Sequence, residues 1–282
     1  MMKAPLTAVI LTFNEEQNLP SCLRSIEGWC PQIFVVDSGS TDRTADIAKN
    51  AGAQVVHHLF QTHAKQWAWA LRELPIEQEW ILALDADLRV SPELKEELLS
   101  ALPTVPQETA GFFVPRKLIF RGRWIRHGGV WPKEMLKLFR RPAIQMDDQE
   151  LVDHLFYVQG QTGRCRFCLI DENQNDRSIT VWLQRQLRYV ELQAQEELRF
   201  RRGQRSWKIN PSPWGTPHQR VLWHRNVWYH LPPVWRSFLY FGYRYGIRLG
   251  FLDGRSGALF HFLQGFWLRL MIDVRLLELQ KS

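Results

Sequence analysis

Trp80-Ile81-Leu82-Ala83-Leu84-Asp85-Ala86-Asp87 is an apolar run that ends in two carboxylates spaced i, i+2. A short apolar run of this length reads as a strand buried on both faces, as found inside a parallel sheet. Side chains two apart on a strand point the same way. Asp85 and Asp87 are therefore expected to project together from the carboxyl edge of the sheet, where open α/β sheets bind ligands. Two aligned carboxylates repel unless a cation or a donor sits between them. A divalent metal holding a diphosphate answers that need. The competing reading is a polar strand end running into a helix cap, and the rest of the chain has to decide between them.

Outward from this strand, the first hundred residues alternate strand and helix signals. Residues 6–13, 33–36 and 54–57 are β-rich runs, and residues 19–27, 41–50 and 63–74 carry helical spacing between them. Ser38-Gly39-Ser40-Thr41-Asp42 is a turn with helix-capping chemistry, Gly52 closes the second helix, and Ser91-Pro92-Glu93 opens another. This alternation with short links predicts a mainly parallel sheet flanked by helices on both faces. Residues 110–170 change character, with strand-like runs at 111–115, 118–124, 135–139 and 163–170. Residues 178–202 form a long amphipathic helix, and the Gly-, Ser- and Pro-rich stretch after it reads as a linker.

The 282 residues carry a formal charge of +7, unevenly placed. Residues 1–198 hold 22 Lys/Arg against 26 Asp/Glu, whereas residues 199–282 hold 14 against 3. The apolar and charged fractions, 45% and 23%, exclude bulk disorder. The basic tail implies an anionic partner, either nucleic acid or a membrane surface. Residues 230–274 are dense in aromatic and aliphatic side chains interrupted by arginine, and their longest uncharged run is residues 256–268. That is shorter than the roughly 20 residues needed to span a bilayer. Interleaved aromatic residues and arginine suit a helix lying in the membrane interface, and a helical pair packed on the catalytic domain is the alternative. Cys165-Arg166-Phe167-Cys168 has half of a zinc knuckle and no second pair, so the four cysteines are expected to be free thiols. The N-terminal apolar run stops at Asn14-Glu15-Glu16, too short for a signal peptide, which predicts a cytoplasmic protein.

Three polar strand ends carry the chemistry. Leu11-Thr12-Phe13-Asn14-Glu15-Glu16, Val35-Val36-Asp37-Ser38-Gly39-Ser40-Thr41-Asp42 and Leu84-Asp85-Ala86-Asp87 together resemble the family 2 glycosyltransferases of the GT-A fold. The likeness continues through Gly122-Arg123-Trp124-Ile125-Arg126-His127-Gly128-Gly129 and Leu138-Phe139-Arg140-Arg141 to Leu249-Gly250-Phe251-Leu252-Asp253-Gly254. These later segments are similar to the bacterial subgroup that builds lipopolysaccharide core and related envelope glycans.

The resemblance implies a GT-A domain over residues 1–203, and composition adds a linker at 204–218 and a helical, membrane-associating region at 219–282. The resemblance also implies inverting transfer from a nucleotide-diphosphate sugar, usually a UDP-sugar, to a glycan or lipid-linked acceptor at the inner face of the cytoplasmic membrane, with no nucleic-acid partner. By this likeness Asp37 binds uracil or ribose, with Thr12, Asn14 and Glu15 forming one wall. Lys65 stands near the nucleotide, Asp85 contacts ribose or metal, and Asp87 ligates Mg2+ or Mn2+. A base must take the acceptor proton. Asp153 is the choice within the cluster Asp147, Asp148, Glu150 and Asp153, with His154 beside it. Leu88 stands where the subgroup often has a further acid. The basic run Arg116, Lys117, Arg121, Arg123, Arg126, Lys133, Lys137, Arg140 and Arg141 reads as an anionic-acceptor site or as a solvated face. A non-catalytic RNA- or membrane-binding module and a nucleotidyl transferase are the alternatives. The second lacks a glycine-rich loop at the first strand.

Overall fold

β1 (Leu6–Thr12) buries all seven of its residues, which is what a central strand covered on both faces requires. In this computed structural model, which describes residues 3–147, 149–152 and 155–281, the chain divides into two compact units. The first comprises residues 1–117 and 134–175, the second residues 118–133 and 176–282.

In the first unit, β1 is followed by α1 (Leu19–Ile26), β2 (Gln32–Asp37), α2 (Thr44–Asn50), β3 (Gln54–His57), α3 (His63–Glu73) and β4 (Trp80–Asp85). β5 (Leu88–Val90) and α4 (Pro92–Ala101) come next, and Ser91 caps α4 by accepting from the Leu94 amide. The remaining strands of the chain are β6 (Thr109–Phe120), β7 (Arg123–Trp124), β8 (Lys133–Arg140), β9 (Ile144–Met146), β10 (Phe156–Val158), β11 (Gln161–Arg164) and β12 (Leu169–Asp171), of which β7, the last three residues of β6 and the first of β8 belong to the second unit. The main sheet runs β3-β2-β1-β4-β8-β6-β12-β5, with β11 and β7 beside β6. β3, β2, β1 and β4 are mutually parallel, whereas β8 is antiparallel to β4 and β12 to β5. Residues of α1, α2 and α4 pack in one core layer, and Trp67, Ala70 and Leu71 of α3 pack in another with the alternate faces of the same strands. Helices thus cover both faces of a mainly parallel sheet, the GT-A arrangement expected from the alternating pattern.

The middle strands differ from their sequence pattern. The runs at 111–115 and 118–124 belong largely to one twelve-residue strand, β6, followed by a turn at Arg121 and Gly122. The run at 163–170 is interrupted between β11 and β12. The basic run is not one face either. Arg116 pairs with Asp171, Lys137 with Asp85, Arg140 with Glu79, and Arg141 donates to the carbonyls of Leu71 and Arg72. Internal partners therefore hold these four cations.

The second unit starts with the hairpin formed by the end of β6 and β7, where Ile119 faces Trp124 and Phe120 faces Arg123. Its helices are α5 (Ile179–Arg201), α6 (Pro217–His230), α7 (Trp235–Gly242), α8 (Gly254–Phe260) and α9 (Leu268–Lys281). Val190 and Ala194 of α5 pack on Leu268, Ile272 and Leu276 of α9. The Thr216 hydroxyl and Gln219 side chain form a reciprocal cap that starts α6. Two motifs far apart in sequence meet here. The Asp253 carboxylate accepts from the amides of Arg126 (3.1 Å) and His127 (2.9 Å), and lies 2.7 Å from His127 Nδ1. Gly128, at φ +66°, leaves room for the buried His261 ring, whose Cε1 would stand 2.1 Å from a Cβ at this position.

Candidate active site

The parallel register aligns the polar strand ends. Thr12 pairs with Asp37 across β1 and β2, and Leu11 pairs with Asp85 across β1 and β4. Residues that close each strand therefore gather along one edge of the sheet.

Asp37 organises the turn after β2. Its Oδ2 accepts from the amides of Gly39 (3.1 Å) and Ser40 (2.9 Å), while Oδ1 accepts from the hydroxyls of Ser40 and Thr12. Burial alone would push this carboxyl up. The Ser40 hydroxyl and amide, the Gly39 amide and Thr12 outweigh it and hold the carboxyl below the ordinary range. The neighbouring loop is stitched to this turn. The Asn14 amide donates to Ser40 Oγ (2.8 Å), Asn14 Oδ1 accepts from the Thr41 amide (2.8 Å), and the Glu15 amide donates to Thr44 Oγ1 (2.8 Å). Asn14 reaches this geometry with φ +54°, a region that asparagine tolerates. Lys65 is exposed on α3 with Nζ 3.0 Å from Gln61 Oε1. Its neighbour Gln66, which is buried, reaches the β2 turn instead by donating to Ser38 Oγ (3.2 Å).

Asp85 and Asp87 occupy unlike surroundings. Asp85 is a third exposed and forms an ion pair with the buried Lys137, Nζ to Oδ2 2.9 Å. The Lys137 ammonium also lies over the rings of Trp67 and Phe156. Asp87 Oδ2 accepts from Asn173 Nδ2 at 2.9 Å. Burial, followed by the charges of Asp171, Asp85 and Glu15, pushes the Asp87 carboxyl well above the ordinary range, and Asn173 opposes this only in part. The Glu15 carboxylate accepts from Asn18 (2.6 Å) and Asn175 (3.3 Å). Asn18 in turn accepts from the Gln174 amide (2.7 Å). Asn173 and Asn175, just beyond β12, thus tie the Glu15 loop to the Asp-x-Asp turn. Sequence reasoning missed both. The only signal was Asn-x-Asn at the end of a short strand, which carries no periodicity.

Hard cations take oxygen ligands, and the carboxylates crowded around Asp87 supply that chemistry together with an excess of negative charge. No group of three or more His, Cys, Asp or Glu residues converges to ligating distance among the described residues. Asp153, the expected base, lies outside the described residues with Asp148 and His154. Asp147 and Glu150 are buried, and Glu150 Oε2 accepts from the Leu155 amide (3.2 Å).

A mainly parallel sheet flanked by helices, with polar residues gathered at its strand ends, places the chain in the α/β class. The chain belongs to Glycosyl transferase family 2, whose sequence model matches residues 7–178, and it is a glycosyltransferase. It is 28% identical over 271 residues to the lipopolysaccharide core biosynthesis glycosyltransferase LpsC of Rhizobium meliloti, covering 93% of this chain and 90% of LpsC. An uncharacterized glycosyltransferase of Rickettsia bellii is 34% identical over 98 residues, 35% of this chain and 33% of that protein. Glucosyl-3-phosphoglycerate synthase from Mycobacterium tuberculosis, solved with Mn2+, UDP and glucosyl-3-phosphoglycerate, aligns at 22% identity and a TM-score of 0.32. That alignment covers 42% of this chain and 45% of that one, a likeness too low to carry an argument about this chain.

Proposed function

We propose that this edge of the sheet binds a nucleotide-diphosphate sugar, a UDP-sugar, with Mg2+ or Mn2+, and that the enzyme transfers the sugar with inversion to a hydroxyl of an envelope glycan or lipid-linked acceptor. The observation that carries this reading is the crowding of Asp85, Asp171 and Glu15 around Asp87, a surplus of negative charge that a divalent cation relieves. Similarity to LpsC over nearly the whole of both chains supports an envelope-glycan acceptor.

In this reading Asp37 acts through the turn it shapes, because its oxygens already accept from Thr12, Gly39 and Ser40. The 38–41 turn and the loop of Asn14 and Glu15 then form the wall for base and ribose. Asp87 and Asp85 hold the metal, and Asn173 orients Asp87. Lys137 fixes Asp85 and limits the repulsion within the cluster. Lys65, exposed on α3, is a surface cation for the donor. When bound, the metal ion neutralises charge developing on the leaving diphosphate. Inversion by single displacement needs a base on the acceptor side, and Asp153 is assigned that role.

Incubation of the purified protein with a panel of nucleotide sugars, reading release of nucleoside diphosphate, tests the proposal. Release from a UDP-sugar with Mn2+ that chelation abolishes is the expected result. Equal release under chelation, or an unimpaired Asp87→Asn variant, removes the metal role. No release from any nucleotide sugar in the presence of an acceptor extract overturns the donor assignment.

A further inference from the structure

α7 is built inside out. Its arginine and serine, Arg236 and Ser237, are fully buried, while Trp235, Phe238 and Leu239 are 71%, 50% and 66% exposed. The buried side is closed. Arg236 donates from Nε to Asp273 (2.8 Å), from Nη1 to Glu197 (2.9 Å) and the Trp228 carbonyl (2.8 Å), and from Nη2 to Glu197 (2.8 Å) and Asp273. Asp273 Oδ2 also accepts from the Val234 amide (2.8 Å) and the Ser237 hydroxyl (2.9 Å). These contacts fix the rotation of α7 about its axis, and the apolar side is left outward as a consequence.

The outward face is continuous. Ring contacts run from Trp235 to Phe238, on to Phe266, Phe241 and Tyr245, and from Tyr245 to Phe251. Ile247, 75% exposed, and the exposed Leu249 and Leu252 extend it. Val234 and Leu249, at the two ends of this stretch, have φ of +68° and +59°. A β-branched residue adopts that region only under constraint, which the Asp273 bond to the Val234 amide supplies. A connected, rigidly displayed apolar face of this kind marks an interaction site.

We propose that this face docks on the interfacial layer of an anionic lipid bilayer. The aromatic side chains suit the boundary between headgroups and acyl chains. Arg248 and Arg255 are exposed within the same stretch, which holds no exposed carboxylate among residues 234–252, and this complements anionic headgroups. A two-fold pairing of this face with itself would bring like charges together. No helix among the described residues is long and apolar enough to cross a membrane, so the contact lies on the bilayer and not through it. The proposal stands apart from the transfer reading, because docking needs neither donor nor metal.

Sedimentation of the full chain with phosphatidylcholine vesicles, with and without phosphatidylglycerol, tests it. The wild type is expected to bind the anionic vesicles, more weakly as salt rises. The variant Trp235→Ser/Leu239→Ser/Ile247→Ser is expected to lose about tenfold or more in binding with its Tm unchanged, since all three side chains are exposed. Arg248→Glu/Arg255→Glu is expected to remove the preference for phosphatidylglycerol. Should the triple variant destabilise the fold, Ile247→Ser alone is expected to weaken binding in the same direction. Undiminished vesicle binding by the variants overturns the proposal. So does a wild-type dimer in solution that the triple variant dissociates, or binding to RNA with none to anionic vesicles.

Discussion

Two groups of charge, one at the half-buried sheet edge of the first unit and one buried among the helices of the second, are matched to different degrees. Around Arg236 every guanidinium N–H has an acceptor, and both carboxylates that face it are bonded through both oxygens. Around Asp87 the neighbours are Asp85, Asp171 and Glu15, with Lys137 paired to Asp85 and Arg116 to Asp171. A fully matched cluster fixes architecture, and a partly matched one keeps repulsion that a ligand can release. The same residue types thus form a brace in one place and, in the proposed reading, a binding site in the other.

Breaking the matched cluster has the largest expected effect on stability. Arg236→Met leaves Glu197 and Asp273 buried without their cation and should destabilise the protein by about 3–5 kcal/mol in denaturant unfolding. Replacing Glu197 and Asp273 by leucine in the same variant should restore much of that loss, because the uncompensated charges go with them. Breaking the partly matched cluster should do the reverse. Asp87→Asn removes a repelled charge, so Tm should hold or rise, while transfer falls by about 100- to 1000-fold, the scale of a lost contact to developing charge. A lower Tm in that variant would make Asp87 a structural residue.

Asn173→Ala sharpens the comparison at intermediate size. It removes the donor to Asp87, and a loss of about 1–2 kcal/mol in stability is expected, with weaker donor binding seen as a raised KM. The smallest expected effect is a graded one in the second unit. Burial, with help from the Arg244 charge and against Asp253, lowers the His261 imidazole to about 4. The unfolded chain takes up this proton near pH 6.5, whereas the folded chain resists it until about pH 4, so stability should fall as pH drops through that window. His261→Gln should flatten the Tm profile between those values relative to wild type.

The first four parallel strands and the helices between them were legible because buried parallel strands are continuous apolar runs and their helices carry local caps, as at Ser91. β6 was less legible. Arg116 and Lys117 interrupt its pattern, and only the tertiary pairing of Arg116 with Asp171 explains a charge inside a strand. At the site, the alignment of the β4 end at Asp85 with Thr12 and Asp37 could be read from strand periodicity, whereas Asp87 lies in the turn beyond the strand, where that periodicity no longer holds. Lys137, Asn173 and Asn175 could not, since a single polar residue reveals its partner only when distant segments meet. Lys137 read as one cation in a basic run, and folding buried it against Asp85. Asp253 is the converse case. Its motif was visible, but its role in holding the Arg126 and His127 amides required the fold.

The most direct test of the central claim is a thermal unfolding series of wild type and Asp87→Asn with Mn2+ and UDP, separately and together. The partly matched cluster predicts that Mn2+ raises the wild-type Tm, that UDP adds to the shift only when Mn2+ is present, and that Asp87→Asn loses the metal-dependent shift without a lower starting Tm. An equal UDP shift without metal, or the same Mn2+ response in Asp87→Asn, would contradict it.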